Sequence, residues 1–127
     1  MKNRILIVDD DSRNIFALTL TLKARGFQIE SCTTAREAIQ MLENDPNISV
    51  VLMDMMMPEM DGYAAVRQIR NMPSIQNTPI IAVTAQAMLD DRQKCLDAGA
   101  NDYVKKPIDV DQLLSAIEKC FHNGKNC

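Results

Sequence analysis

The sequence has no excess of positive charge, no long apolar run and a single histidine. Its 14 Lys and Arg against 17 Asp and Glu give a net charge of −3, so the basic surface typical of nucleic-acid binding is missing. No stretch approaches the roughly 20 apolar residues of a membrane span. The apolar run at 5–8 is too short for the core of a signal peptide. We therefore expect a cytoplasmic protein that binds neither nucleic acid nor a membrane.

The cysteines form no CxxC pair, and none lies at metal-ligand spacing from the histidine. They are Cys32, Cys95, Cys120 and Cys127. We expect reduced thiols in an intracellular protein. The 127 residues contain no internal repeat, low-complexity tract or linker, and this length suits one domain. We predict a domain over 1–122 and a short tail at 123–127.

Short apolar runs alternate with longer segments in which apolar residues recur at helical spacing. The runs lie at 5–8, 27–31, 50–53, 80–83 and 103–104. Of the helical segments, the fourth, around Met88 to Leu96, has the weakest apolar face, and the fifth, Val110 to Phe121, has the clearest. This order predicts an α/β fold, a doubly wound (βα)5 parallel sheet covered by helices on both faces.

The pattern of polar and apolar residues within each run indicates which strands lie at the edges of the sheet. The runs at 5–8, 50–53 and 80–83 are apolar throughout, as in strands covered on both faces. The run at 27–31 alternates and the run at 103–104 is short, which favours edge positions for both. These assignments are compatible with the order 2-1-3-4-5, the flavodoxin-like arrangement, in which a cleft opens between strands 1 and 3.

Polar residues follow four of the five runs. Asp9 and Asp10 follow the first, Asp54 the third, Thr84 the fourth and Lys106 the fifth. The carboxyl ends of parallel strands share one edge of a sheet, so these groups are expected to converge. Three carboxylates, a hydroxyl and an ammonium can hold a divalent metal, accept a phosphoryl group and neutralise its charge.

Ordinary structural explanations also exist for these residues. Asp11 or Ser12 can cap the first helix, and an Asp after an apolar run is often a turn residue. Capping explains one acid of the triplet Asp9-Asp10-Asp11 but not three. Adjacent acids repel each other unless a cation compensates them, and Mg²⁺ prefers such hard oxygen ligands. Beside a bound metal, Asp54 could act as a nucleophile that forms an acyl phosphate.

The loop after Asp54 contains three consecutive methionines at 55–57 and is constrained by Pro58 and Gly62. Successive residues in regular structure cannot bring three sulfurs onto one metal. Methionine more often fills irregular gaps in a core. We expect core packing here and no metal site formed by sulfur.

The chain resembles the receiver domain of two-component response regulators. The resemblance covers about 3 to 121, and the motifs that carry it are 5–10, 53–62, 82–85 and 98–107. The segments 84–88 and 91–96 are similar to receivers attached to hybrid sensor histidine kinases.

The resemblance implies a role for each residue at the predicted edge. Asp54 would be the phosphoacceptor, and the donor would be a phosphohistidine on a histidine kinase or a histidine phosphotransfer domain. Asp9, Asp10 and Asp54, with the backbone carbonyl of Met56, would hold Mg²⁺. The implied function is a phosphorylation switch that catalyses only its own phosphorylation and dephosphorylation.

The resemblance also implies how the switch works. Thr84 and Lys106 would contact the phosphoryl group, Tyr103 would change rotamer as Thr84 moves, and the peptide bond before Pro107 would be cis. Gln86, together with the side chain of Met56, would flank the phosphoryl group. Weak apolar contact makes the fourth helix the element most able to move. We expect the fourth helix, fifth strand and fifth helix to bind a downstream protein or a second copy of the chain.

Two other functions use the same fold or the same chemistry. A Mg²⁺-dependent phosphohydrolase could work through an aspartyl phosphate, but such enzymes commonly place an acid two residues after the nucleophile, where this chain has Met56. A flavodoxin needs a first loop that cradles phosphate, and Asp9-Asp10-Asp11 would repel phosphate there.

Overall fold

In the computed structural model, the described residues are 4–45, 47–57, 61–85 and 89–126, without the side chains of 89–91 and 122–126. Helices and strands alternate along them: β1 (Arg4–Val8), α1 (Ser12–Lys23), β2 (Gln28–Cys32), α2 (Ala35–Asn44), β3 (Ile48–Asp54), α3 (Gly62–Arg70), β4 (Ile80–Thr84), α4 (Leu89–Ala98), β5 (Asp102–Lys105) and α5 (Val110–Asn126). The expectations for Pro58, Gln86, Met88 and Cys127 lie outside the described residues.

The five strands form one parallel sheet in the order β2-β1-β3-β4-β5, which confirms the predicted order. Val8, the last residue of β1, lies opposite Met53 of β3, and Asp54 lies opposite Val83 of β4. Thr84 lies opposite Lys105 of β5. The polar residues after these strands therefore meet at one edge of the sheet.

Side chains that alternate along the strands pack into two layers. Leu6 and Val8 face the layer that contains α2, α3 and α4, whereas Ile5 and Ile7 face the layer with α1 and α5. Each fully buried aliphatic side chain contributes about 1.5–3 kcal/mol to folding. β2 is mostly half-buried or exposed, as expected for an edge strand. Among the described residues, no helix is long and apolar enough to cross a membrane.

Aspartates begin two of the helices that flank the site. Asp11 Oδ1 accepts a hydrogen bond from Arg13 N at 2.9 Å, so Asp11 caps α1 as predicted. Asp61 caps α3 in the same way, through a bond from Ala64 N at 2.9 Å. Because Asp11 serves the helix, only the first two acids of the triplet remain for other chemistry.

Two helix ends differ from the sequence-based expectation. Apolar residues at helical spacing predict a first helix over roughly 12–25 that stops at Gly26, but α1 ends at Lys23, and Gly26 has a φ of 91°. α5 continues to Asn126, so the tail predicted at 123–127 is helical as far as that residue. Gly124 lies within this helix, since one glycine costs only about 1 kcal/mol and need not end it.

Gly62, the first residue of α3, lies against the backbone of β3. A Cβ atom there would be 2.6 Å from Met55 Cα and 2.7 Å from the carbonyl oxygen of Asp54. Gly62 N also donates to the Met55 carbonyl at 3.2 Å. The missing side chain therefore lets α3 pack directly on the end of the strand that carries Asp54.

We predict that Gly62→Ala lowers the free energy of unfolding by about 1–3 kcal/mol, because the added methyl overlaps backbone atoms that cannot move aside. Helix propensity alone would give the opposite sign, since Ala is better than Gly in a helix by about 1 kcal/mol. Urea denaturation measures the change. Ala64→Gly, at an exposed position of the same helix, calibrates the propensity effect. A neutral or stabilising Gly62→Ala would contradict the close contact.

Candidate functional site

Three carboxylates lie together where β1 and β3 end. Asp9 is 3% exposed and Asp54 is 4% exposed, while Asp10 faces solvent. One carboxylate oxygen from each lies within 4.8 Å of the others. Oxygen ligands at this spacing can contact one hard divalent cation, and an open side leaves room for water and phosphate oxygens. The donor set therefore fits Mg²⁺.

Backbone amides fix one oxygen of each buried carboxylate. Asp9 Oδ1 accepts from Asp11 N at 2.8 Å, and Asp54 Oδ1 accepts from Met56 N at 3.0 Å. Asn14 adds a long contact of 3.5 Å from Nδ2 to Asp9 Oδ2. These bonds orient the two carboxylates without neutralising them, so their charges remain available to a cation.

Lys106 stands between the two buried carboxylates. Its Nζ lies 3.6 Å from Asp9 Oδ2 and 3.6 Å from Asp54 Oδ2. The peptide bond between Lys106 and Pro107 is cis, as the family resemblance implied. The site holds three carboxylates and one ammonium, so it favours a further cation.

Burial makes Asp9 costly to ionise. The pKa of Asp9 is raised above its ordinary value of 3.8, first by loss of solvation and then by the charge of Asp54. The amide of Asp11 and the ammonium of Lys106 act in the opposite direction. Asp9 therefore favours unfolding when it is ionised, and a bound cation would offset this cost.

Thr84 and Tyr103 lie on β4 and β5, on the other side of the site. Thr84 is fully buried, and its carbonyl accepts a hydrogen bond from Lys106 N at 2.7 Å. This bond joins the two strand ends that carry the hydroxyl and the ammonium. Tyr103 packs partly buried against the layer of α2, α3 and α4, with the guanidinium carbon of Arg92 at 5.8 Å from the ring centre.

The methionines after Asp54 divide between core and surface. Met55 and Met57 are buried, as predicted for core filling, and Met56 is 52% exposed. The side chains at 55–57 thus face different environments. Met56 is the one whose side chain reaches solvent next to Asp54.

The described cysteines are buried thiols. They are Cys32, Cys95 and Cys120. Burial raises the pKa of Cys32 to about 12 and that of Cys120 to about 11. Such thiols remain protonated and unreactive near neutral pH, so these cysteines are core residues.

Sequence reasoning missed two residues that shape this site. Asn14, one turn into α1, lines a cavity of about 520 Å³ next to Asp9 and Lys106. Leu18 and Ile108 give this cavity apolar walls. Helical spacing from Asp11 could have indicated Asn14. Gly62 could not be assigned its role, because its contact with Asp54 depends on how closely α3 approaches β3.

We predict that Asp9→Asn raises the melting temperature by roughly 3–5 °C near neutral pH without divalent metal, equivalent to about 1 kcal/mol. The folded state holds the Asp9 proton more tightly than the unfolded chain, so ionisation above the folded pKa lowers stability. The gain should shrink as the pH falls towards 3.8, and also when saturating Mg²⁺ stabilises the wild type.

Thermal unfolding from pH 4 to 8 with a chelator would measure this difference. Asn keeps an acceptor for the Asp11 amide, so the substitution removes mainly charge. Glu118→Gln, at an exposed position of α5, is the control and should change little. An unchanged or lower melting temperature of Asp9→Asn at neutral pH would show that this charge is already compensated.

Comparisons with known proteins agree on one family. The family model for the response regulator receiver domain matches residues 5–118. The signal transduction histidine-protein kinase BarA of Escherichia coli K12 is 37% identical over 113 residues, which are 89% of this chain but only 12% of BarA. An uncharacterised 14.6 kDa protein of Leptolyngbya boryana is 37% identical over 116 residues, 91% of this chain and 87% of that protein.

A solved structure extends the agreement to the fold. It is the receiver domain of the sensor histidine kinase PA1611 from Pseudomonas aeruginosa PAO1, with a magnesium ion in its active-site cleft. The TM-score is 0.86 at 32% identity, covering 96% of this chain and 99% of that one. The comparisons do not support the phosphohydrolase alternative. The chain belongs to the response regulator receiver family and is a receiver domain of two-component signal transduction.

Proposed function

We propose that this receiver domain switches when Asp54 accepts a phosphoryl group from a phosphohistidine. The donor is a histidine kinase or a histidine phosphotransfer domain. One observation carries the proposal: a nearly buried carboxylate lies beside two further acids and 3.6 Å from the ammonium of Lys106. The similarity to BarA supports the class of donor.

The transfer exchanges one bond for another. A carboxylate oxygen of Asp54 forms a bond to phosphorus while the bond from phosphorus to the donor's imidazole nitrogen breaks. The imidazole leaves with the electron pair, and the released ring is neutral because its other nitrogen carries a proton. The product is an acyl phosphate on Asp54. The cavity beside Asp9 and Lys106 gives an incoming group a path to this side of the site.

Lys106 and Thr84 act on the phosphoryl oxygens. Lys106 lies 3.6 Å from Asp54, so its ammonium would contact a phosphoryl group on that carboxylate and neutralise part of its charge. The Thr84 hydroxyl would donate a second contact after a small inward movement. Positioned charges and donors are the main catalytic requirement of phosphoryl transfer.

Mg²⁺ is the proposed cofactor, held by Asp9, Asp10, Asp54 and the backbone carbonyl of Met56. When bound, it offsets the repulsion between carboxylates and phosphate oxygens. The raised pKa of Asp9 and the single ammonium in the cluster support a need for this second cation.

We propose no independent turnover of other substrates. Met56 occupies the position two residues after the acceptor, and a thioether cannot transfer a proton. A cytoplasmic location and the lack of nucleic-acid binding remain predictions from the sequence.

The first test is phosphorylation by acetyl phosphate with Mg²⁺, followed by intact mass. We expect one phosphate adduct on the wild type and none on Asp54→Asn, because the amide is not a nucleophile. Asp97→Asn, at an exposed position on α4, is the matched control and should be modified normally. An undiminished adduct on Asp54→Asn would overturn the assignment.

The same assay tests the metal. A chelator should abolish the adduct on the wild type, and Asp10→Ala should lose metal-dependent phosphorylation while it stays folded, because Asp10 faces solvent. Circular dichroism checks the fold. Wild-type modification rates in Asp10→Ala would contradict the role of Asp10 as a ligand.

The proposed output is a change in the surface formed by α4, β5 and α5. α4 follows Thr84, and Tyr103 of β5 packs next to it. Arg92, Gln93 and Lys94 are exposed, and the buried residues of α4 that are described, Cys95 and Ala98, lie near its end. A helix whose described side chains are mostly exposed has low local stability, so a movement of Thr84 would shift its position. A downstream protein or a second copy of the chain would read this surface.

Hydrogen exchange should show which part of the surface changes on phosphorylation. Phosphorylation should change exchange most in residues 84–85 and 89–108, because Thr84 pulls on the start of α4. Thr84→Ala should accept phosphate but give less than about half of this change, and Thr84→Ser should restore it through its hydroxyl. A response centred on α2, or a full response in Thr84→Ala, would show that the output runs elsewhere.

A further inference from the structure

Arg70, the last residue of α3, makes hydrogen bonds to four separate acceptors at the edge of the sheet opposite Asp54. Its Nε donates to the Gly99 carbonyl at 2.8 Å, and its Nη2 donates to Asn101 Oδ1 at 2.8 Å. Its Nη1 donates to the carbonyls of Gln76 and Thr78 at 2.8 and 2.7 Å. A planar guanidinium can serve several acceptors at once, which an ammonium cannot do with the same geometry.

Asn101 extends this network into the sheet. Its Oδ1 also accepts from Ile80 N at 2.8 Å, and its own amide donates to the Ile80 carbonyl at 2.8 Å. Ile80 is the first residue of β4, and Asn101 directly precedes β5. The starts of both strands are therefore tied to each other and to Arg70.

Gly99 brings the end of α4 into the same network. Its φ of 120° suits only glycine, and a Cβ there would lie 2.8 Å from Arg70 Cγ. The next amide, Ala100 N, donates back to the Cys95 carbonyl at 3.0 Å. The last turn of α4 is thus closed against Arg70, whereas its first residue, Leu89, follows Thr84 by five positions in the chain.

We propose that Arg70 is a positioning residue, which holds Ile80, Gly99 and Asn101 as a fixed joint about which α4 turns. β4 runs from this joint to Thr84, and β5 runs from it to Lys105. The phosphate-contacting ends can then move while their starts stay in register. The joint converts a small displacement of Thr84 into a rotation of α4 about Gly99. The rotation rests on the proposed function, whereas the joint rests only on the hydrogen bonds of Arg70.

Hydrogen exchange of the unmodified protein tests the joint directly. Ala100 and Asn101 lie in a loop, where amides normally exchange faster than in a helix. We expect them, with Ile80, to exchange at least about tenfold more slowly than Gln93 and Lys94 within α4. If the loop amides exchange as fast as those of α4, the joint does not exist, whatever the outcome of phosphorylation.

Arg70→Met should raise the exchange rates of the Ile80, Ala100 and Asn101 amides by about tenfold or more. Arg70→Lys, which keeps the charge but not the planar fork, should recover only part of the slow exchange and serves as a second variant if Arg70→Met does not fold. Leu42→Val, in the core at α2, is the control for general loss of stability. It should raise exchange across the sheet without a focus on these three amides. A uniform rise in both Arg70 variants would reduce Arg70 to a purely structural role.

Phosphorylation tests whether α4 turns about the joint. In the wild type, we expect exchange in α4 to change while that of Ile80, Ala100 and Asn101 does not. The Arg70 variants should still form the Asp54 adduct, because the acceptor lies at the other edge of the sheet, but should give less than about half of the wild-type change in α4. An undiminished change in these variants, or an equal change at the three joint amides in the wild type, would overturn the proposal. Absence of any adduct on the wild type would instead contradict the proposed function.

Discussion

The structure depends on one unbalanced charge arrangement, in which the ammonium of Lys106 lies 3.6 Å from two nearly buried carboxylates, Asp9 and Asp54. Two negative groups cannot be brought this close inside a protein without compensation, and here the compensation is incomplete. The backbone amides of Asp11 and Met56 hold the carboxylates in position, but they add no full positive charge. The site is therefore stable enough to persist and negative enough to attract a cation, which is the combination that phosphate binding by acids requires.

The site has two sides, one formed by β1 and β3 and the other by β4 and β5, and the two sides are packed differently. β1 and β3 are neighbours in the middle of the sheet and carry the acids. β4 and β5 carry Thr84 and Lys106, which are joined by a backbone hydrogen bond of 2.7 Å. The acids belong to strands packed on both faces by helices. The second side ends at an edge strand and at α4, whose described side chains are mostly exposed. The proposed metal ligands thus lie on the tightly packed side, and the residues proposed to move lie on the other.

Much of this could be predicted from the sequence because burial leaves a pattern. The alternation at 27–31 and the brevity of 103–104 indicated both edges, and Asp11 was recognisable as a helix cap. Contacts between distant segments left no such pattern. The acceptors of Arg70 include Asn101, 31 positions away, and nothing local to either residue indicates the other. The closeness of Gly62 to Asp54 depends on how far α3 lies from β3. The length of α5 was also missed, because Gly124 resembles a helix end.

Gly62 packs α3 closely against the backbone of β3, next to Asp54, the proposed phosphoacceptor. The Cα of Met55 and the carbonyl oxygen of Asp54 would lie only 2.6 and 2.7 Å from a Cβ of residue 62, so α3 packs directly on the backbone that carries the Asp54 carboxylate. The backbone of β3 cannot move towards α3, so a shift of that strand in this direction cannot accommodate added bulk or charge on Asp54. Under the proposed phosphorylation of Asp54, we therefore expect the adjustment to the added group to fall on Thr84 and Lys106, on the other side of the cleft.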